Sequence, residues 1–129
     1  MLFKESWSSL ADGTNVRWVK IFHLYKGFVR RSTTTSMFVK SSAQVVEPPQ
    51  VVYKGTKFKY SVKGDIVRSV IVRVLRFSYN KAGFGIHFDQ NCSVTIKKRQ
   101  QPRSLYNYGP VSRFALRRTK MLALFKKVF

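Results

Sequence analysis

Hydrophobic positions predict a series of short β-strands over the first hundred residues. β-branched and aromatic residues are concentrated in three segments that are typical of strands: residues 16–25, 37–46 and 66–77. In the last segment, apolar residues occupy both parities, so we expect both faces to be buried, as in a small closed barrel. Residues 1–15 are polar and turn-like, with Asp12-Gly13 as the turn.

Proline, glycine and polar clusters separate these strands. Pro48-Pro49 end the second strand, since proline cannot donate a hydrogen bond to a β-ladder, and Lys63-Gly64-Asp65 is typical of a turn. Residues 51–60 predict a strand and loop or a hairpin with basic tips. Residues 85–89 and 93–98 predict a further hairpin.

The chain after Val111 is the one segment with helical periodicity. Phe114, Met121, Leu122 and Phe125 fall near one stripe, and Ser112 and Thr119 are candidate caps, so we expect two short helices. The fold class is therefore mostly β: a small barrel over about 10–100, followed by short helices over about 111–129. The length of 129 residues predicts a single domain.

Charge points to the class of partner. The chain has 25 Lys and Arg against five Asp and Glu, a net charge of +20, and no acid follows Asp89. A compact domain with this charge repels itself unless a polyanion neutralises it, so a polyanion is the expected partner. Aromatic residues could stack on unpaired bases or fill the core. We expect Trp18, Phe22, Phe77 and Phe88 in the core, and leave Phe84, Tyr106 and Tyr108 open.

The residues that could support catalysis are few. The five acids are well separated, there are two histidines and one cysteine, and no cluster has zinc-ligand spacing. We therefore expect no catalytic residue, no metal and no cofactor, unless Asp65, His87 and Asp89 converge in the fold. No apolar run is long enough for a membrane helix, and the first residues resemble neither a secretory signal nor a transit peptide.

One extended motif carries a family resemblance. From Ser69 the chain runs Ser-Val-Ile-Val, nine residues, Ala82-Gly83, four residues, Phe88, two residues, Asn91, two residues, and Val94-Thr95. This resembles the signature of the universal fourteenth protein of the large ribosomal subunit. Other segments resemble that family in the same order, so that the match covers nearly the whole chain: Leu10-Ala11-Asp12, Val19 to Leu24, Arg30-Arg31, Lys63-Gly64-Asp65 and Gly109-Pro110-Val111.

The resemblance implies a five-stranded β-barrel with a protruding hairpin and two short C-terminal helices. It implies binding to large-subunit rRNA near the face that meets the small subunit. The implied partners are neighbouring large-subunit proteins, small-subunit rRNA at an intersubunit bridge, and a subunit-silencing or assembly factor.

The chain also departs from the family pattern. Ser69, Ala82 and Thr95 replace the usual signature residues, and Phe114-Ala115-Leu116 lacks a common Glu. Together with the high Phe and Tyr content and the absence of a presequence, these departures lead us to expect a mitochondrial matrix ribosome. A bacterial cytoplasm or a plastid is the alternative location.

The expected mechanism is electrostatic, because Lys and Arg on a rigid barrel can neutralise rRNA phosphates. An alternative is a free-standing RNA-binding module or RNA chaperone on a small barrel, and an enzyme is the third possibility. The candidate rRNA-binding residues are Lys20, Arg30, Arg31, Lys54, Lys57, Lys59, Lys63, Arg73, Arg76, Lys97, Lys98, Arg99, Arg113, Arg117 and Arg118.

Overall fold

The computed structural model describes residues 1–27, 29–48, 60–79, 81–104 and 106–113, and the backbone of 127–128. These ranges contain eleven β-strands, of two to nine residues, and a single-turn 3-10 helix at Lys98–Gln100. The strands are β1 (Leu2–Phe3), β2 (Trp7–Leu10), β3 (Val16–Leu24), β4 (Ser32–Thr33), β5 (Phe38–Val46), β6 (Ile66–Arg73), β7 (Ser78–Tyr79), β8 (Gly85–Ile86), β9 (Cys92–Thr95), β10 (Pro110–Val111) and β11 (Lys127–Val128).

Five strands form a closed barrel in the order β2-β3-β5-β6-β9, which confirms the expected fold class. The successive pairs from β2 through β9 are antiparallel. The barrel closes where β2 pairs in parallel with β9, with Ser9 opposite Cys92 and Leu10 opposite Ser93. This closure leaves none of the five strands at a free edge of the sheet.

The three strands expected from β-branched composition are confirmed as β3, β5 and β6, although β6 ends earlier, at Arg73. The expectation for residues 1–15 was wrong, because this segment contains β1 and the barrel strand β2. β2 is only four residues long and has two serines, so its own sequence carries little strand signal. Its structure comes from pairing with β3 on one side and β9 on the other.

The hairpin expected between residues 85–89 and 93–98 was also wrong. β8 pairs instead with β7, around a turn in which Gly83 has a φ of 86°. β9 is fully buried and pairs with β6 on one side and with β2 on the other, because it is the strand that closes the barrel. The expected hairpin at 51–60 and the expected C-terminal helices lie almost wholly outside the described residues.

Two aliphatic clusters fill the ends of the barrel. One contains Leu2, Ile21, Leu24, Val39, Ile71 and Val74. The other contains Leu10, Val16, Val19, Ala43 and Val67. Between them lie small buried side chains, since Ser41 separates Val39 from Ala43 along β5 and Ser69 separates Val67 from Ile71 along β6.

These inward serines suit the narrow interior of a five-stranded barrel, which has little room for large side chains at its middle. The hydroxyls of Ser8 and Ser41 make hydrogen bonds inside the barrel, whereas the buried Ser69 Oγ has no hydrogen-bond partner among the described residues. Ser8 Oγ donates to Ser93 Oγ at 3.2 Å, and Ser41 Oγ donates to the carbonyl of Val67 at 3.3 Å.

The aromatic residues expected in the core are not there. Trp18, Phe22 and Phe77 are 38%, 40% and 52% exposed, and Phe88 is half-buried. The cause on β3 is a set of irregularities in its pairing with β5, which lie between Val16 and Val19 and between Ile21 and His23. Each bulge reverses the alternation of faces, so the inward residues are Val16, Val19, Ile21 and Leu24, and the aromatic rings face outward.

The outer faces of β6 and β9 carry a third buried cluster, as the apolar residues at both parities of β6 predict. Val70 and Val72 of β6 pack there with Cys92 and Val94 of β9. Ala11 and Val111 join this cluster, so the chain before and after the barrel packs on its outer wall.

Asp12 joins three parts of the chain from a fully buried position. One carboxylate oxygen accepts hydrogen bonds from the backbone amide of Thr95 at 2.8 Å and from the Thr95 hydroxyl. The other accepts from the hydroxyl of Thr14 at 2.5 Å and from its amide at 3.3 Å. Asp12 also forms a β-bridge with Asn107. The carboxylate therefore ties the end of β2 to the end of β9 and to the loop before β10.

Replacing Asp12 by Asn should destabilise the fold by about 1–3 kcal/mol, since an amide nitrogen would face buried N–H and O–H donors that lose their acceptor. Asp89→Asn is the matched control, because Asp89 is exposed and the charge change is the same. Its effect should stay within about 0.5 kcal/mol. The measurement is urea unfolding at high salt. Equal stabilities of the two variants would contradict this role for Asp12.

Burial raises the pKa of the Cys92 thiol above its ordinary value of 9.0. The folded chain then holds the thiol proton more tightly than the unfolded chain. This contribution to stability is complete below pH 9.0 and is lost as pH rises through the folded pKa. The free energy of unfolding of the wild type, measured relative to Cys92→Ala, should therefore be constant at neutral pH and fall above pH 9.0. A difference that stays constant into alkaline pH would refute it.

Candidate nucleic-acid interface

Three consecutive cations occupy the tip of the loop that follows β9. Beyond Thr95, Ile96 forms a bridge with Pro102, and the amide of Lys97 donates to the carbonyl of Gln101 at 2.7 Å. The closed loop exposes the side chains of Lys97, Lys98 and Arg99. Arg99 has a φ of 62°, so its backbone lies in the left-handed region that L residues rarely adopt. The structure thus brings together three of the expected site residues at one tip.

A second basic region lies beside the short β1–β4 pair. Arg30 and Arg31 line a shallow depression with Phe3, Lys4 and Val29. The Nε of Arg30 donates to the carbonyl of Ser32 at 3.0 Å, which orients its guanidinium group. Arg31 is exposed. A held guanidinium loses less side-chain entropy when it binds a phosphate than a free one does.

Arg73 makes contacts within the protein. Its Nη2 donates to the carbonyl of Tyr108. Its guanidinium lies so close to Gly109 that a Cβ there would be 2.6 Å from Nη2, and Gly109 has a φ of 81°. Arg73 therefore fastens the end of β6 to the loop before β10, and this contact limits its availability to RNA.

Lys20 is also engaged, because its Nζ lies 2.5 Å from a carboxylate oxygen of Glu5. A second ion pair, between Arg17 and Glu47 at 2.6 Å, also involves β3. The outer wall around β3 is therefore the part of the described surface where acids compensate cations. This wall should therefore attract phosphate more weakly than the loop tip at Lys97–Arg99 does.

The remaining described candidates are exposed and separate. Lys63 lies in the turn before β6, and Arg113 follows β10. Arg76 lies near the N-terminus, with Nη1 3.8 Å from the sulfur of Met1. Partial burial and then the charge of Arg76 lower the pKa of the Met1 amino group below its ordinary value. Five candidates lie outside the described residues: Lys54, Lys57, Lys59, Arg117 and Arg118.

Sequence reasoning missed one pair of cations on the barrel wall. Lys40 on β5 lies directly opposite Arg68 on β6, and on its other side it lies opposite His23 of β3. Like charges on directly opposite residues destabilise a sheet unless an anion lies between or above them. The sequence shows both residues as cations at outward-facing strand positions. Only the pairing register of β5 and β6 places them next to each other.

The acids do not neutralise these clusters, although all five lie in the described ranges. Glu5 and Glu47 pair with Lys20 and Arg17. Asp12 is held by threonines, and Asp65 accepts a hydrogen bond from the amide of Val62 at 3.0 Å. Asp89 is exposed after β8. The cations at the loop tip and on the β5–β6 wall therefore have no carboxylate side chain paired with them among the described contacts.

The aromatic residues that were left open at turns are exposed. Phe84, Tyr106 and Tyr108 have exposed fractions of 72%, 71% and 59%. Their rings therefore lie outside the core, on the same molecule as the uncompensated cations. Over the described part of the chain, no group of three His, Cys, Asp or Glu side chains could hold a metal ion. Within the same ranges no helix is long and apolar enough to span a bilayer.

The whole chain matches one protein-family model. The model describes ribosomal protein L14p/L23e, and the match runs over residues 1–129. This agrees with the closed five-stranded barrel and with the motif that runs from Ser69 to Thr95. The family is one of structural ribosomal components rather than of catalysts. The chain therefore belongs to the ribosomal protein L14p/L23e family, and it is a protein of the large ribosomal subunit.

Proposed function

We propose that this protein binds large-subunit rRNA near the intersubunit face and takes part in a bridge to the small subunit. The observation that carries the RNA-binding part is the distribution of charge. The acids are engaged in ion pairs, turns and a buried hydrogen-bond network. Lys40 on β5 and Arg68 on β6, in contrast, lie directly opposite each other. Such a surface repels itself, and the phosphates of a polyanion would supply the missing negative charge.

The rigid barrel supports this role. Lys40 and Arg68 are set by strand register, and the loop tip at Lys97–Arg99 is closed by backbone hydrogen bonds. Cations on a fixed backbone add little backbone ordering cost on binding, so more of the electrostatic gain becomes affinity. Family membership supports the position in the large subunit, and the resemblance supports the bridge.

The ribosome we propose is mitochondrial. The support is divergence from the family pattern at Ser69, Ala82 and Thr95, together with an aromatic content of 15%. Neighbouring large-subunit proteins and a silencing or assembly factor are further proposed partners. They would meet surfaces that the RNA leaves free, such as the wall around β3, where cations are already compensated by acids.

A free-standing RNA-binding module is the second candidate, and the exposed aromatic rings favour it. Such a module would bind generic single strands tightly at physiological salt without preference for rRNA. The two candidates differ in where the protein is found in the cell.

The loop tip should contribute phosphate contacts. Replacing Lys97, Lys98 and Arg99 together by Gln should reduce the slope of log K against log salt for rRNA binding by about two units. Lys20→Gln is the control and should leave the slope close to the wild-type value, well short of the roughly 0.7–0.9 unit that one lost phosphate contact would remove, because Glu5 already compensates that charge. Fluorescence titrations at several salt concentrations measure both. A triple variant with the wild-type slope would remove the tip from the interface.

A tagged copy of the protein should co-sediment with large subunits in a mitochondrial lysate. Crosslinked RNA should come from large-subunit rRNA in free subunits, and also from small-subunit rRNA in assembled ribosomes. Sedimentation with small RNAs only would favour the free-standing module. Sedimentation with ribosomes of another compartment would refute the mitochondrial location and leave the ribosomal role intact.

A further inference from the structure

The β7–β8 hairpin carries a line of three rings on one face. Tyr79 lies opposite Gly85 and Ser78 opposite Ile86, so the next pair, Phe77 and His87, shares the face of Tyr79. The Phe77 and Tyr79 rings are nearly parallel, with centroids 6.1 Å apart and planes at 17°. The Phe77 and His87 ring centroids are 4.3 Å apart.

Gly85 allows these rings to lie against the opposite strand. A Cβ at position 85 would be 3.0 Å from Cε1 of Tyr79 and 3.2 Å from Cδ1 of Phe77, so both rings would have to shift by a few tenths of an ångström. The absent side chain thus lets the two rings rest on the backbone of β8. Their orientation is set before any ligand arrives, which reduces the entropy lost on binding.

The same rings are poorly covered by the protein. Phe77 is 52% exposed and Tyr79 is 73% exposed. About half of the Phe77 surface and most of the Tyr79 surface therefore remain open to a ligand. Exposed, prearranged aromatic faces on a protein are typical of sites that stack on the bases of single-stranded nucleic acid.

The charged residues near the rings indicate which class of ligand would bind there. Arg76 immediately precedes Phe77, and Lys81 lies two residues after Tyr79. The side chains of Arg76 and Lys81 are both exposed. No acid occurs between Asp65 and Asp89. Rings flanked by cations match a nucleotide, which has a flat base and an adjoining phosphate. A duplex keeps its base faces stacked inside, so the complementary ligand is unpaired RNA.

We propose that the β7–β8 hairpin is a base-stacking platform for unpaired nucleotides. Phe77 and Tyr79 stack on bases, and Arg76 and Lys81 lie near the adjoining phosphates. The platform rests on the proposed RNA-binding function and adds the kind of RNA that is bound. It also gives the hairpin a role distinct from the loop tip at Lys97–Arg99, where charge alone acts.

The test compares two versions of a short single-stranded RNA that differ only by abasic sites. The full-length wild type should prefer the intact strand by about 5- to 150-fold for each stacked base. Tyr79→Leu should lose much of that preference while keeping the wild-type salt dependence, because no charge changes. Tyr79→Phe should retain the preference, since it keeps the ring.

Two control variants separate stacking from charge and from exposure. Arg76→Gln should lower the salt slope and leave the preference for bases intact. Tyr106→Leu removes a ring of similar exposure on another loop, 71% against 73%, and should keep the preference. Quenching of a 2-aminopurine base in the strand gives a second readout of stacking, and circular dichroism checks that each variant is folded.

The outcomes distinguish this proposal from the function on which it rests. If the wild type binds intact and abasic strands equally, the platform is refuted while salt-dependent RNA binding stands. A Tyr79→Leu variant that is folded and retains both the preference and the quenching also refutes it. If the wild type binds neither strand nor rRNA, RNA binding itself is refuted.

Discussion

Closure of the barrel depends on the short parallel pair between β2 and β9 and on the buried Asp12 carboxylate beside it. β2 has four residues, and only two of them pair with β9, so the ladder alone is a weak seam. Asp12 strengthens it by accepting hydrogen bonds from Thr95 and Thr14. The adjoining loop is fixed too, because the amide of Gly13 donates to the carbonyl of Tyr106 at 2.9 Å. Arg73, at the end of β6, donates a hydrogen bond to the carbonyl of Tyr108 in the same loop, so β6 is also connected to this loop.

The narrow interior of this barrel determines where functional side chains lie. Its middle accepts serines and its ends accept aliphatic residues, so aromatic and cationic side chains are placed on the outside. The closed frame then carries cations at a loop tip, on the β5–β6 wall and beside β4, each in a position set by backbone pairing. The rigid frame and the positive charge are complementary to the same kind of ligand, because a rigid positive surface fits a folded polyanion.

Much of the fold could be predicted from the sequence, but only where a segment carries its own signal. β3, β5 and β6 are long and β-branched, so composition locates them. β2 and β9 are four residues each and acquire their structure from their neighbours. The loop cations Lys97–Arg99 were predicted as site residues, and the structure brings them to one exposed tip. The outward aromatic rings of β3 were not predicted, because a bulge reverses faces and alternation cannot locate it.

The sequence by itself determined the excess of positive charge, the scarcity of acids and the family to which the chain belongs. These are properties of composition and order, and they do not depend on distances. The tertiary structure decided which cations remain uncompensated, because neutralisation depends on the separation of two charged atoms. Lys20 and Glu5 are fifteen residues apart in the chain and 2.5 Å apart in the fold, whereas Lys40 meets Arg68 without an acid. It also decided that the rings of Phe77 and Tyr79 lie nearly parallel and close together, since strand pairing and the missing side chain of Gly85 allow both rings to lie against β8.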